Sequence, residues 1–159
     1  MMLSRFVGAL GVALFTAAGP VTAQQASAVW VEDCFANTPI GEVAPQCLGR
    51  AAGACQDAGN DTTVGISMCI QSETAAWDAI LNREYRAVRA AFQGRAAQGV
   101  PLPDLLRDAQ RAWIAYRDAE CGLAYARWAD GSIRTIVGAN CMMVMTAQRA
   151  LDLRDMKGN

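Results

Sequence analysis

The sequence predicts a mainly α-helical fold: a small bundle of about three main helices, stapled by disulfides, behind a Cys-rich irregular N-terminal segment. Three observations carry this prediction. From about Met68 onward apolar residues recur at spacings of three, four and seven, which is the period of one helix face. Glycine- and proline-containing runs near 94–103 and 130–132 cut that pattern into three lengths. Six cysteines, Cys34, Cys47, Cys55, Cys69, Cys121 and Cys141, form an even set in a chain that begins like an export precursor, and such a set reads as a disulfide framework.

At the N-terminus Arg5 precedes an uncharged apolar run, Phe6 to Ala18, followed by Gly19, Pro20 and Val21-Thr22-Ala23. Charge, apolar core and small residues in that order are an export signal, with cleavage expected after Ala23 and a signal peptide over 1–23. A membrane span needs about 20 apolar residues, more than this run supplies. Cys34, the first cysteine, lies well past the cut and offers no lipid-attachment point. The mature protein is therefore expected to be periplasmic or secreted, with no membrane association after cleavage.

Residues 24–67 are rich in Gly, Pro, Asn, Asp and Thr, a composition that disfavours a long helix and leaves order to disulfides and short turns. The segment is also acidic: Glu32, Asp33, Glu42, Asp57 and Asp61 are opposed only by Arg50. The whole chain has 14 Lys+Arg against 15 Asp+Glu. Loss of Arg5 with the signal leaves 13 against 15, a balance that gives nucleic-acid binding no support.

The first long helix is predicted from about Met68 to Phe92, with Ile70, Trp77, Leu81, Val88 and Phe92 on its core stripe and Ile80, Tyr85 and Ala91 beside it. Gly94 and Gln98 to Pro103 then require a turn. A second helix opens near Asp104, an acid suited to the positive end of the helix dipole, and runs to about Trp128. Its stripe is Leu106, Ala109, Trp113, Tyr116, Ala119 and Leu123. After Asp130-Gly131-Ser132, a third helix is expected from about Asn140 to Met156, with Cys141, Val144, Met145, Gln148 and Leu151 on one side.

Up-and-down packing gathers Cys69, Cys121 and Cys141 at one end of the bundle. Local pairing, Cys34–Cys47, Cys55–Cys69 and Cys121–Cys141, is preferred, and Cys69 crossing to another helix stays open. No metal site is expected, because histidine is absent and no Cys-x-x-Cys pair occurs. No cofactor motif is present either: a phosphate loop and a nucleophile elbow are both missing. Among the carboxylates, Glu73 and Asp78 lie five residues apart on one helix, and Asp118 and Glu120 diverge. No catalytic residue is assigned, and the protein is expected not to be an enzyme.

Particular residues then point further. Met68-Cys69, Glu73, Trp77-Asp78, Leu81-Asn82 and Tyr85, the string Ala109 to Cys121 (AQRAWIAYRDAEC), and Cys141 with Arg149 and Leu151 resemble the lysozyme inhibitor LprI-like family over about residues 55 to 153. The helical domain is accordingly set at 55–156, after the acidic segment 24–67. The chain departs from the commoner four-cysteine pattern of the family by adding Cys34 and Cys47.

The resemblance implies an exported binding protein whose partner is lysozyme or another peptidoglycan hydrolase. The alternative is an envelope structural or interaction protein without effect on lysozyme. Within the motif, Trp77, Tyr85, Trp113 and Tyr116 are expected in an aromatic core. Asp78, Asn82, Gln110, Arg117, Asp118 and Arg149 are expected to form a hydrogen-bonded, charge-paired network that locks helix register; the alternative is that part of it is exposed as a recognition surface. Trp30, Trp128 and Ile133 are the apolar residues whose exposure would mark a partner surface.

Overall fold

The computed structural model describes residues 23–157, so the export signal expected over 1–23 lies outside the described residues apart from Ala23. Among the described residues there are five helices: α1 Ala23–Asn37, α2 Arg50–Asp57, α3 Thr63–Ala91, α4 Leu102–Ala126 and α5 Arg134–Met156. Two-residue strands, β1 Ala96–Ala97 and β2 Val100–Pro101, form a hairpin between α3 and α4. The class is mainly helical. None of the described helices is long and apolar enough to cross a membrane.

The longest helix, α3, starts five residues before the predicted point. Thr62 caps it, its hydroxyl accepting from the Gly65 N–H at 3.1 Å, which satisfies one of the orphan donors of the first turn. Its buried face runs through Ile70, Glu73, Trp77, Ile80, Leu81, Glu84 and Val88. Two carboxylates therefore stand within the apolar stripe. α5 lies parallel to α3: the Ser67 hydroxyl meets the Thr135 carbonyl at one end, and Lys157 pairs with Glu84 at the other.

The acidic N-terminal segment is more regular than its composition suggests. α1 is a helix of 15 residues, because every Gly and Pro of the segment lies from Pro39 onward. Val31, Cys34 and Phe35 of α1 enter the same buried cluster as Trp77, Ile80, Leu151 and Leu153. The irregular stretches are confined to the turns between α1 and α2 and the short connection 58–62 between α2 and α3.

The hairpin replaces the turn expected after Gly94. Pairing of Ala97 with Val100 leaves Gln98-Gly99 as a two-residue loop, with φ of 52° and 80°, the left-handed pair that a right-twisted ribbon requires. α4 then starts at Leu102 rather than Asp104. Pro103 is tolerated in its first turn, where the missing N–H would have no partner.

Two helix faces differ from the predicted stripes. On α4 the packed side is Leu106, Gln110, Trp113, Arg117 and Cys121, whereas Ala109, Tyr116, Ala119 and Leu123 face solvent. The helix carries two stripes of similar apolar content, and the Cys121–Cys141 bond selects the more polar one. α5 begins at Arg134, six residues before the predicted start, so the expected Asp130–Asn140 connection shrinks to a short turn. Its deeply buried residues are Met143, Thr146, Ala147, Ala150, Leu151 and Leu153. Of the predicted face, Leu151 is fully buried, whereas Cys141, Val144, Met145 and Gln148 are half-buried. α5 is clasped between α3 and α4, so both of its sides carry core residues.

All six cysteines are paired: Cys34–Cys47, Cys55–Cys69 and Cys121–Cys141, with Cα separations of 5.6, 5.6 and 5.4 Å. The local set holds, and Cys69 does not cross to α4. The reason is that α4 leans on α5 more than on α3.

Candidate functional site

Where α3 and α4 part above α5, they leave an open cleft of about 480 Å³. Its α3 wall presents Asp78, Asn82, Tyr85 and Arg89, with Leu81 at the base. Its α4 wall presents Arg107, Gln110, Arg111, Trp113, Ile114 and Arg117. The helices run antiparallel through the hairpin, so Arg89 faces the start of α4 and Asp78 faces Arg117. Six of the residues expected in the polar network or the aromatic core thus converge: Asp78, Asn82, Tyr85, Gln110, Trp113 and Arg117.

The other motif residues lie elsewhere. Trp77 is fully buried. Tyr116, expected in the aromatic core, is 60% exposed on the far side of α4, because the helix packs through Trp113 and Arg117. Asp118 is exposed and holds Arg117 at 2.8 Å. Arg149 reaches in from α5, donating to Gln110 Oε1 at 2.9 Å.

The polar residues do not make one register-locking network. Asn82 donates to the Asp78 carboxylate and carbonyl one turn back on α3, both at 2.9 Å. Arg117 and Asp118 are adjacent on α4. Among these six residues only the Arg149–Gln110 bond joins two helices. Trp113 collects the cations: the Arg117 guanidinium lies 5.1 Å from its ring centroid and that of Arg149 5.9 Å, within cation–π range. Burial lowers the pKa of Arg149, with Asp152 opposing, and raises that of Asp152, with Arg149 opposing.

The cleft is rich in guanidinium groups. Arg107 is committed to Asp104 at 2.7 Å and Asp108 at 2.8 Å, and Arg117 to Asp118. Among the described residues neither Arg89 nor Arg111 has a carboxylate within ion-pair distance. Sequence reasoning did not single out these two. The available signal was that Arg111 stands within the motif string itself, next to Gln110, and that Arg89 lies one turn after the motif residue Tyr85.

Three further charged groups have structural roles that the sequence analysis did not assign, Glu73 of the motif among them. Glu73, 1% exposed, accepts from the Gly49 and Ala52 N–H groups at 2.8 Å and from Trp77 Nε1 at 3.2 Å. It caps α2 from another helix, where Gly49 at φ 90° has no side chain to do so. Glu84 holds Arg83 and Lys157. Arg154 donates to the carbonyls of Phe35, Thr38 and Pro39, closing the C-terminal end of α1.

At the opposite end of the bundle, the Cys55–Cys69 loop and the α4–α5 turn lie together, since Ser67 touches Thr135. Trp128 is 50% and Ile133 44% exposed at that turn, and Trp30 is 44% exposed on α1, beneath the Arg50 guanidinium. Among the described residues no group of three or more His, Cys, Asp or Glu side chains is arranged to hold a metal.

The family model described as "Lysozyme inhibitor LprI" matches residues 55–153, the stretch that supplies α3, α4, nearly all of α5 and both cleft walls. An uncharacterised protein of Rhizobium meliloti is 34% identical over 99 residues, covering 57% of this chain and 70% of its own length. The uncharacterised protein YecT of Escherichia coli is 37% identical over 70 residues, 40% of this chain and 43% of its own. No solved structure matches significantly.

Proposed function

This chain belongs to the lysozyme inhibitor LprI family, and from that premise we propose that it is an exported inhibitor of lysozyme-type peptidoglycan hydrolases. The observation that carries the reading is the family match over 55–153. An inhibitor of this kind works outside the cytoplasm, where the N-terminal signal would send it and where three disulfides persist.

The physical chemistry that supports the reading is acidity in the N-terminal segment and the surface at the end opposite the hairpin. Lysozymes are commonly cationic, and the segment from α1 to the start of α3 carries five acids against Arg50; Glu32 is paired with Arg83 nearer the hairpin end, and Asp57 and Asp61 lie at the opposite end. Such an imbalance steers a cationic partner and speeds encounter. The Cys55–Cys69 loop bears Asp57 and Asp61 in exposed positions on a covalently closed base. Beside it the exposed Trp128 and Ile133 supply apolar anchors of the kind that dominate interface energetics. In this proposal the loop and the turn together block the hydrolase cleft.

The test is turbidimetric lysis of cell walls by c-type and g-type lysozymes with purified mature protein. Protection at micromolar protein, weakening as salt rises, is expected. Asp57→Asn/Asp61→Asn should slow association, and Trp128→Ala should cost about tenfold in inhibition. No protection by the intact protein would leave an envelope interaction protein, whose partner a pull-down from periplasmic extract identifies.

A further inference from the structure

We propose that the α3–α4 cleft is a binding site for a carboxylate-bearing saccharide, with Arg89 and Arg111 receiving the carboxylate and Asp78 and Asn82 the hydroxyls. The starting point is shape. A hydrolase active site is itself concave, and two concave surfaces do not fill one another. A cleft of about 480 Å³ falls within the usual range for small-ligand sites.

Charge then selects the ligand class. Four guanidinium groups line the cleft, and two of them are already matched: Arg107 by Asp104 and Asp108, Arg117 by Asp118. Arg89 on α3 and Arg111 on α4 stand exposed on opposite walls with no carboxylate within ion-pair distance among the described residues, Arg111 feeling Asp108 only through a longer-range attraction. A planar fork suits a carboxylate bidentately, and a pair of forks from two walls brackets one.

The rest of the lining argues against a bare inorganic ion. Toward Arg117 the walls offer the Asp78 carboxylate and the Asn82 carbonyl, both acceptors for hydroxyl donors, since the Asn82 amide nitrogen is spent on Asp78. Between the two polar ends lie Leu81, Tyr85 and Ile114, an apolar patch against which a ring can rest. A ligand that is anionic at one end, hydroxylated at the other and ring-shaped between matches all three zones. Trp113 serves as a scaffold rather than a stacking platform, because Arg117 and Arg149 already pack on its ring.

The site is independent of hydrolase inhibition, so each proposal stands or falls alone. The experiment is NMR titration of the full mature protein with D-glucuronic acid, N-acetylmuramic acid, N-acetylglucosamine and inorganic phosphate. Both acids are expected to shift the Arg89, Arg111 and Tyr85 signals and the Trp113 indole N–H in the millimolar range or below. The neutral sugar should bind about tenfold or more weakly, the fold-change expected for losing a charge-assisted contact. Arg89→Gln/Arg111→Gln, both exposed positions, should keep the native circular dichroism and lose acid binding by a similar factor. Equal affinity for acid and neutral sugars, phosphate binding as tight as the acids on the same signals, or no shift at about 10 mM acid would overturn the proposal.

Discussion

At the scale of single residues, the consequential side chains are those whose neighbours come from another element. Gly65 illustrates this. In the first turn of a long helix, Ala normally gains about 0.5–1 kcal/mol over Gly. Here a Cβ would stand 2.9 Å from the Asn60 carbonyl oxygen and 3.0 Å from its carbon, backbone atoms that cannot rotate away. Gly65→Ala is therefore expected to destabilise by about 1 kcal/mol net, since overpacking costs outweigh propensity; equilibrium urea unfolding measures it. Glu84 gives a pH signature. Burial raises its pKa, but hydrogen bonds from Lys157 and Arg83 outweigh that, and the net shift is downward. A folded pKa below the unfolded one means stability that is complete above the unfolded value, about 4.3, and lost as pH falls through the folded value. Glu84→Gln should cost about 1–2 kcal/mol at pH 7, discounted for partly exposed partners, and the difference should vanish in acid. Urea midpoints for both proteins from neutral to acidic pH check the sign. Both residues were visible in the chain, yet neither role was legible: a helical period marks Glu84 as core-facing and cannot say which cations await it.

At the scale of elements, two of the attachments that hold α1 to the bundle can be tested separately. Arg154 near the end of α5 donates to three carbonyls at the C-terminal end of α1 and the following turn, where the helix leaves acceptors unsatisfied. Arg154→Ala should remove about 2 kcal/mol and speed amide exchange in α1 and residues 35–41, with the α3 core amides unchanged. The second attachment is Cys34–Cys47, closing a sequence separation of 13. A loop of that length contributes roughly 3 kcal/mol in the chain-entropy model. Cys34→Ala/Cys47→Ala is expected to lower stability by about that amount in calorimetry while α3, α4 and α5 stay folded, as the remaining two disulfides lie among α2, α3, α4 and α5. The local pairing was readable from spacing because neighbouring helix ends were few. α1 was not readable from a composition averaged over 24–67, because the breakers sit wholly in its second part.

At the scale of the whole molecule, the two proposed activities occupy opposite ends: an acidic, apolar-tipped end for a hydrolase and an arginine-lined cleft near the hairpin for an acidic sugar. If both hold, Arg89→Gln/Arg111→Gln should leave inhibition of lysozyme within about twofold, and Trp128→Ala should leave sugar binding unchanged, as read by the lysis assay and the NMR titration. The sequence by itself determined the helical class, the three principal helices, the disulfide framework and the family, because hydrophobic period, cysteine parity and a dense local motif are all short-range signals. Only the tertiary structure decided which stripe of α4 packs, that Tyr116 faces solvent, that Glu73 caps a helix it does not belong to, and that Arg89 and Arg111 line the two walls of one cleft without a carboxylate at ion-pair distance. Those outcomes depend on how α4 is rotated and spaced against α3 and α5. A helix with two nearly equal apolar stripes carries no local preference strong enough to fix that rotation; the Cys121–Cys141 bond and the Gln110–Arg149 contact do.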